Sequence, residues 1–255
     1  MVIDREKMRA KLAEVNKTKE EKKKDRDKDN PWFKPAEGDQ KVRFLPSADG
    51  DPFKTYHLHY NLGEPVLCPK KNFDEKCAIC DYAYSLWKEG TDESKTMAKK
   101  FYSQERFFSN VIARSSTSDV LEPKPYSYGK DSYKQLLTFT IDPDYDDITD
   151  PELGRDFNLN YKKAETKGAF PKTTLVVGGK PTPISKNKKE IKELLDKVKP
   201  IEEFLLRKTS DEISHLLHEK MTESRKDNSE QQKYGDIVDN SITDIDSAID
   251  ELNAG

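Results

Sequence analysis

The 255-residue chain contains no run of about 18 apolar residues, so nothing in it reads as a membrane span. Its start, Met1-Val-Ile-Asp-Arg-Glu-Lys, lacks the apolar stretch of a secretory signal. Cysteine is scarce: three residues, all within Cys68 to Cys80, too few and too clustered for a disulfide framework. A reducing, cytoplasmic setting is the expectation. Apolar residues make up 33% of the chain and charged residues 36%, so only part of it can belong to a core. There is no GxxxxGK[ST] loop and no GxSxG, and the four histidines offer no acid–base pair. An enzyme is therefore not expected. Charge of one sign is also lacking overall, with 45 basic against 48 acidic residues, but the distribution is uneven.

The first thirty residues hold no aromatic residue, eleven Lys or Arg and eight Asp or Glu. Met8, Leu12 and Val15, spaced four and three, predict one narrow apolar helical face. Residues 1–30 thus read as a charged, flexible arm that ends at Asn30-Pro31. Of 24 aromatics, 23 lie between Trp32 and Phe204, which marks the folded body, about 31–220. Strands are expected at Lys41–Leu45, Phe53–Tyr60, Arg106–Arg114, Leu136–Ile141, Phe157–Tyr161 and Thr173–Val177. Helices are expected at Cys77–Glu89 and Lys186–Val198, with Ser210 capping a turn that carries Ile213, Leu216 and Leu217. The expected class is α+β, mainly β with helices: a small barrel with insertions. Residues 221–235 read as a polar linker. Residues 236–255 carry six acidic and no basic residues, with Val238, Ile242, Ile245, Ile249 and Leu252 as an apolar stripe. This tail reads as a partner-binding segment or, more simply, a solubilising terminus.

Cys77-Ala-Ile-Cys80 is a CxxC, Cys68 lies nine residues upstream, and His57 and His59 precede it. Three thiolates and one imidazole are the ligand set of a closed, tetrahedral structural zinc site. A CxxC can instead be a redox pair, but no Trp precedes this one and no thioredoxin-like strand leads into it. Inert, buried cysteines are the third reading. Either histidine can supply the fourth ligand, because residues two apart on a strand share a face.

Aromatic and cationic residues recur together: Lys99, Lys100 and Tyr102 before Arg106 and Phe107; Tyr126, Tyr128, Lys130 and Tyr133; then Lys162, Lys163, Lys167, Phe170 and Lys172. Arg155 to Lys192 holds ten basic and three acidic residues. Single-stranded nucleic acid needs this mixture, since ammonium groups follow phosphates while rings stack on unpaired bases. Some of these rings must fill the barrel; Tyr126, Tyr128 and Tyr133, next to Lys, Ser or Gly, are expected on the surface. A zinc-ribbon protein-interaction factor and an RNA-binding regulator are the alternatives.

The order of Gln40-Lys-Val-Arg-Phe-Leu-Pro-Ser47, a histidine strand, Cys68, Cys77-Ala-Ile-Cys80-Asp-Tyr82, Phe107-Phe108-Ser-Asn-Val-Ile and Tyr-x-Tyr-Gly-Lys130 resembles the T-even-phage-type single-stranded DNA-binding (helix-destabilising) proteins. The likeness runs from about residue 4 to the end. It implies a five-stranded OB-fold barrel core with an inserted zinc subdomain at about 54–105 and the DNA strand lying in a cleft between them. It implies one structural zinc, and favours His59 because the family's zinc histidine falls six residues after the Phe of a Pro-Phe pair, here Pro52-Phe53. Carried over by position, Arg43, Tyr82, Phe107, Lys130 and Phe170 would line the cleft. The family's triple basic cluster is here Tyr102-Ser-Gln104, with Lys99, Lys100 and Arg106 around it, and its Lys-Arg-Lys-Ser-Thr arm element is absent. The resemblance further implies cooperative, sequence-independent coating of single-stranded DNA in phage replication, recombination and repair, in the cytoplasm of an infected bacterium. Self-association through the arm and replication partners on the tail are part of that expectation.

Overall fold

The structure, a computed structural model, describes residues 30–114, 121–166 and 170–222. The arm, Lys167, nearly all of the linker and the whole acidic tail lie outside the described residues. In chain order the elements are β1 (Gly38–Phe44), β2 (Lys54–His59), β3 (Val66–Leu67), α1 (Pro69–Phe73), α2 (Ala78–Glu89), α3 (Asp92–Phe101), β4 (Gln104–Arg114), β5 (Pro123–Tyr128), α4 (Lys130–Ile141), β6 (Phe157–Lys162), β7 (Lys172–Val177) and α5 (Lys188–Leu195). A 3-10 turn at Ile201–Phe204 and a helix over 210–222, α6, complete an α+β fold. None of the described helices is long and apolar enough to cross a membrane. The chain divides into two compact units, residues 30–54 with 108–199, and residues 55–107 with 200–222.

In the first unit β1 pairs antiparallel with β4, Arg43 opposite Ile112, and with β6, Gln40 opposite Leu159. The hairpin partner β7 continues from β6, and β5 lies on β4. The pairing order β5–β4–β1–β6–β7 is open and does not close a barrel among the described residues. Val42 and Phe44 alternate inward from β1 and meet Val111, Phe157 and Leu159, all fully buried. Phe44 sits edge-on to Phe157, Phe53 and Tyr128 at centroid distances of 5.3, 6.1 and 6.2 Å. Such edge-to-face packing adds about 0.5–1.5 kcal/mol per pair beyond burial. A second apolar cluster joins Leu45 and Ile112 to Ile184, Ile191 and Leu194.

The strand expected at Leu136–Ile141 is the second half of α4. A strand there would bury Leu136, Thr138 and Thr140 together, whereas the helix buries Ser132 and Leu136 one turn apart and sets Phe139 against Phe157 at 5.8 Å. Helical packing outweighs the β-propensity of Thr138, Thr140 and Ile141. The same helix presents Gln135, whose Oε1 accepts from Leu175 N at 2.9 Å and satisfies the edge of β7.

In the second unit β2 and β3 pair antiparallel, His59 opposite Val66. α3, unexpected because charges surround its two buried apolar residues, Ala98 and Phe101, is capped by Thr91, whose Oγ1 accepts from Ser94 N. The cap of α6 is Thr209 rather than Ser210. Thr209 N donates to Glu212 Oε2 and Glu212 N to Thr209 Oγ1, a reciprocal capping box, while Ser210 donates to Lys76 O at 2.8 Å. Through Ile213 and Leu217, α6 packs into the apolar cluster of Leu62, Val66, Ile79, Ala83, Leu86, Ala98 and Phe101.

Candidate metal centre and nucleic-acid surface

Four ligand-bearing residues converge in the second unit. His59 ends β2, Cys68 follows β3 and stands at the N-cap of α1, and Cys77 and Cys80 open α2. The CxxC spacing works because Cys77 is extended at the cap and Cys80 lies in the first helical turn, so both sulfurs face one point. One donor atom from each residue lies within 4.8 Å of the other three. Cys68 and Cys80 Sγ are 3.5 Å apart; His59 Nε2 is 3.3 Å from Cys77 Sγ and 3.5 Å from Cys80 Sγ. His59 Nδ1 donates to Phe101 O at 2.9 Å, which turns Nε2 toward the sulfurs in the way outer hydrogen bonds orient metal-bound imidazoles. Lys71 N donates to Cys68 Sγ at 3.4 Å.

His57, the other candidate, is outside the cluster. Its backbone N–H and C=O are both held by the Asn72 amide, which ties β2 to α1.

The four groups perturb one another's protonation. Burial pulls the His59 imidazolium down, but hydrogen bonds with Cys68 and Cys77 outweigh it and raise the group to about 9. Hydrogen bonds from Cys77 and Cys80 drive the Cys68 thiol below its ordinary range, while those to Cys68 and Cys77 hold the Cys80 thiol above its own. Without a cation, a buried cluster of this kind must share out too few negative charges; a divalent ion lets a neutral imidazole and three thiolates coexist. The donor set fits a closed four-coordinate site with no open position.

The candidate nucleic-acid residues separate by exposure. Arg43 is fully buried: Nη1 pairs with Asp156 at 3.2 Å and Nη2 donates to Asp150 O at 2.7 Å. Burial lowers its pKa and Asp156 opposes that shift. Asp156 also accepts from Arg114, so two guanidiniums and one carboxylate tie β1 and β4 to the segment before β6. Gly154 makes room for this: a Cβ there would stand 2.5 Å from Asp150 O and 2.8 Å from Arg43 Nη2. Phe107, Tyr126 and Tyr128 are also buried. The surface expectation for Tyr126 and Tyr128 is thus corrected. Their neighbours are polar, but on a strand the neighbours face the other way, and Tyr128 OH is satisfied inside by Ser109 at 2.7 Å. Tyr82, Arg106 and Tyr133 are half-buried, Tyr82 edge-on to Phe101 at 5.3 Å.

Lys99, Lys100, Tyr102, Lys130, Lys162, Lys163, Phe170 and Lys172 are exposed. In the first unit Lys162 and Lys172 are register partners on β6 and β7, and Phe170, 90% exposed, lies two residues before Lys172. Lys163 pairs with Glu37 at 2.7 Å. In the second unit two further exposed rings, Trp87 and Tyr84, add to Tyr102. Trp87, 44% exposed, lies 6.2 Å from Tyr102 with Lys95 Nζ 6.0 Å from its centroid, and exposed Tyr84 has Lys88 Nζ at 4.9 Å. Periodicity could have found them: Ile79, Ala83 and Leu86 define the buried face of α2, and Tyr84 and Trp87 fall off it.

A protein-family model described as gp32 DNA binding protein like matches residues 36–223. No curated protein matches the chain by sequence comparison.

Proposed function

The chain belongs to the gp32-like DNA-binding family, and on that premise we propose that it binds single-stranded DNA without sequence preference. The observation that carries the reading is the occurrence of open aromatic faces with lysines in both units: Trp87, Tyr102 and Lys95 in one, and in the other exposed Phe170 two residues before Lys172, itself opposite Lys162. Rings of this kind stack on unpaired bases, which a duplex keeps inside its own stack, and the lysines replace condensed counterions along the phosphates. Lys99 and Lys100, also exposed, add cations in the second unit, where Tyr82 and Arg106 are half-buried, and exposed Lys130 adds one in the first, where Tyr133 is half-buried. The five-strand order of the first unit supports an OB-type core, with Arg43, Tyr126 and Tyr128 buried in it.

One zinc ion on His59, Cys68, Cys77 and Cys80 has a structural role in this reading. It holds β2, β3, α1 and α2 together and keeps α2, with Tyr84 and Trp87, in place. We further propose, as the biological role, cooperative coating of exposed strands in phage replication, recombination and repair in the infected host's cytoplasm. Copies associate through residues 1–30, and the acidic 236–255 segment competes for basic surface and recruits replication proteins.

Intrinsic Tyr and Trp fluorescence tests the reading, titrated with single- and double-stranded oligomers at two salt concentrations. Quenching by the unpaired strand alone, weakened by salt, is the expected result. Equal quenching by duplex, or none, overturns it, and a ribo-oligomer of equal length competing as well as the deoxy-oligomer moves the assignment to RNA.

A further inference from the structure

The last turn of α4 leaves apolar side chains in water. Leu137 and Ile141 are one turn apart on the face opposite buried Leu136, and Ile141 is 80% exposed. Residues 142–152, which follow at once, contain six acidic and no basic residues, and Leu153, 71% exposed, closes the stretch. This loop is built to hold its shape. Asp142 Oδ1 accepts from Asp144 N, Asp147 Oδ1 from Thr149 N, and Asp150 Oδ1 from the N–H groups of Glu152 and Leu153. The backbone is clamped from behind, with Asp144 O accepting from Arg155 and Asp150 O from Arg43. Glu152 pairs with Lys188, whereas Asp144 and Asp146 are exposed and make no ion pair among the described residues. A fixed acidic ledge beside an apolar stripe is a surface suited to a basic, amphipathic segment.

Two segments of the chain lie outside the described body and carry an apolar stripe. The tail is acidic and is repelled by this ledge. The N-terminal arm has a net charge of the opposite sign: Arg5, Lys7, Arg9 and Lys11 outnumber Glu6 and Glu14 around the Met8, Leu12 and Val15 stripe, and the first thirty residues hold eleven basic against eight acidic residues. As a helix, Met8 to Val15 would span about 10 Å, a length that fits a short apolar stripe. Copies with a formal charge of −3 repel one another, and a basic arm on an acidic ledge of the next copy offsets that. We propose that residues 5–15 of one copy dock on the end of α4 and the 142–153 loop of a neighbouring copy. Met8, Leu12 and Val15 cover Leu137, Ile141 and Leu153, while the arm's cations face Asp144 and Asp146. This rests on the reading of the arm as a self-association element and names its receptor.

The test uses the full chain carrying Asp144→Lys/Asp146→Lys or Ile141→Ser, exposed positions at which folding is checked by circular dichroism. Affinity is measured for an oligomer that holds one copy and for one that holds many. The short-oligomer affinity is expected to stay unchanged, and the advantage of the long oligomer to fall about tenfold. Arg5→Glu/Lys7→Glu/Arg9→Glu should reproduce the loss, and combining it with the loop reversal should restore part of the advantage. A photo-crosslinker at position 12 gives a readout without DNA, with capture of residues 137–153 of a second copy expected. An unchanged long-oligomer advantage, capture elsewhere, or capture within one copy overturns the proposal. Failure of the unaltered chain to bind the short oligomer strikes at the single-strand reading instead and leaves the crosslink to decide the docking.

Discussion

The two units solve the same stability problem with different materials. The first fills its interior with rings: Phe44 meets Phe53, Tyr128 and Phe157 edge-on, and Phe139 extends the series with a tilted contact to Phe157. The buried cluster of the second is mainly aliphatic, with Leu62, Ile79, Leu86, Ile213 and Leu217 around a single buried phenylalanine, Phe101, and it includes the small side chains of Ala83, Ala98, Cys68 and Cys77. Bodies below roughly 70–80 residues rarely stand on apolar burial alone, and residues 55–107 with 200–222 sit at that limit. The Cys and His cluster stands where the first unit has phenylalanines. The contrast shows where a metal would matter: with zinc on the proposed site, a ligand set would supplement core volume in the second unit, and the fold of that unit would depend on solution chemistry while that of the first would not.

Removing the metal is the harshest way to break that comparison. Structural zinc contributes an apparent 10–16 kcal/mol or so in small zinc domains, more than many whole domains possess. Cys77→Ser, or a strong chelator, should abolish hydrogen-exchange protection in α2, α3 and α6 while β1, β6 and β7 keep theirs. Acid should act in the same direction, because protons compete for thiolate and imidazole ligands and metal is lost as pH falls. Loss of protection in both units together would show that the second is not held separately by its ligands.

The matching cut in the first unit is Arg43→Met. Breaking a buried ion pair costs about 3–5 kcal/mol, and because Arg114 still neutralises Asp156, the low end applies. Urea unfolding followed by the near-ultraviolet signal of the aromatic core should show a midpoint shift of that size, with the metal still bound. Gly154→Ala should act the same way through the close contacts to Asp150 and Ile148 carbonyls. An unchanged midpoint for Arg43→Met would mean that the pair contributes nothing net.

Much of this contrast was legible in the chain. The ligand set was readable because CxxC spacing and a nearby third Cys leave few geometric options. The choice of His59 over His57 came only with the resemblance, since strand alternation puts both on one face; the structure separates them through Asn72 and Phe101. Arg43 shows the opposite case. A cation between Val42 and Phe44 on a strand points away from the apolar face and reads as exposed, and only the segment carrying Asp150, Gly154 and Asp156, more than a hundred residues later, covers it. α4 was missed because a local β-branched run was weighed without the residues before it. Tyr84 and Trp87 are legible as surface rings only through helical periodicity, since both fall off the buried face of Ile79, Ala83 and Leu86.

Exposed rings let the comparison be sharpened without disturbing either fold. Trp87→Ala and Phe170→Ala remove surface rings, so melting should not move, while base stacking is worth about 1–3 kcal/mol per ring. Equal losses would mean both units grip the strand alike. A loss confined to one would assign binding to that unit, and no loss from either would remove stacking from the account.

The smallest expected effect carries a sign that a purely structural role cannot produce. Lys162 and Lys172 face each other across β6 and β7, and like charges directly opposite are unfavourable in a sheet. Such a pair persists when a polyanion compensates it in the bound state. Lys172→Gln should therefore raise the melting temperature slightly and, in the same protein, weaken single-strand binding at low salt. The slope of log affinity against log salt should become shallower by about 0.7, the value for one phosphate contact on a single strand. Reduced melting temperature with unchanged slope would make Lys172 a strand residue like any other.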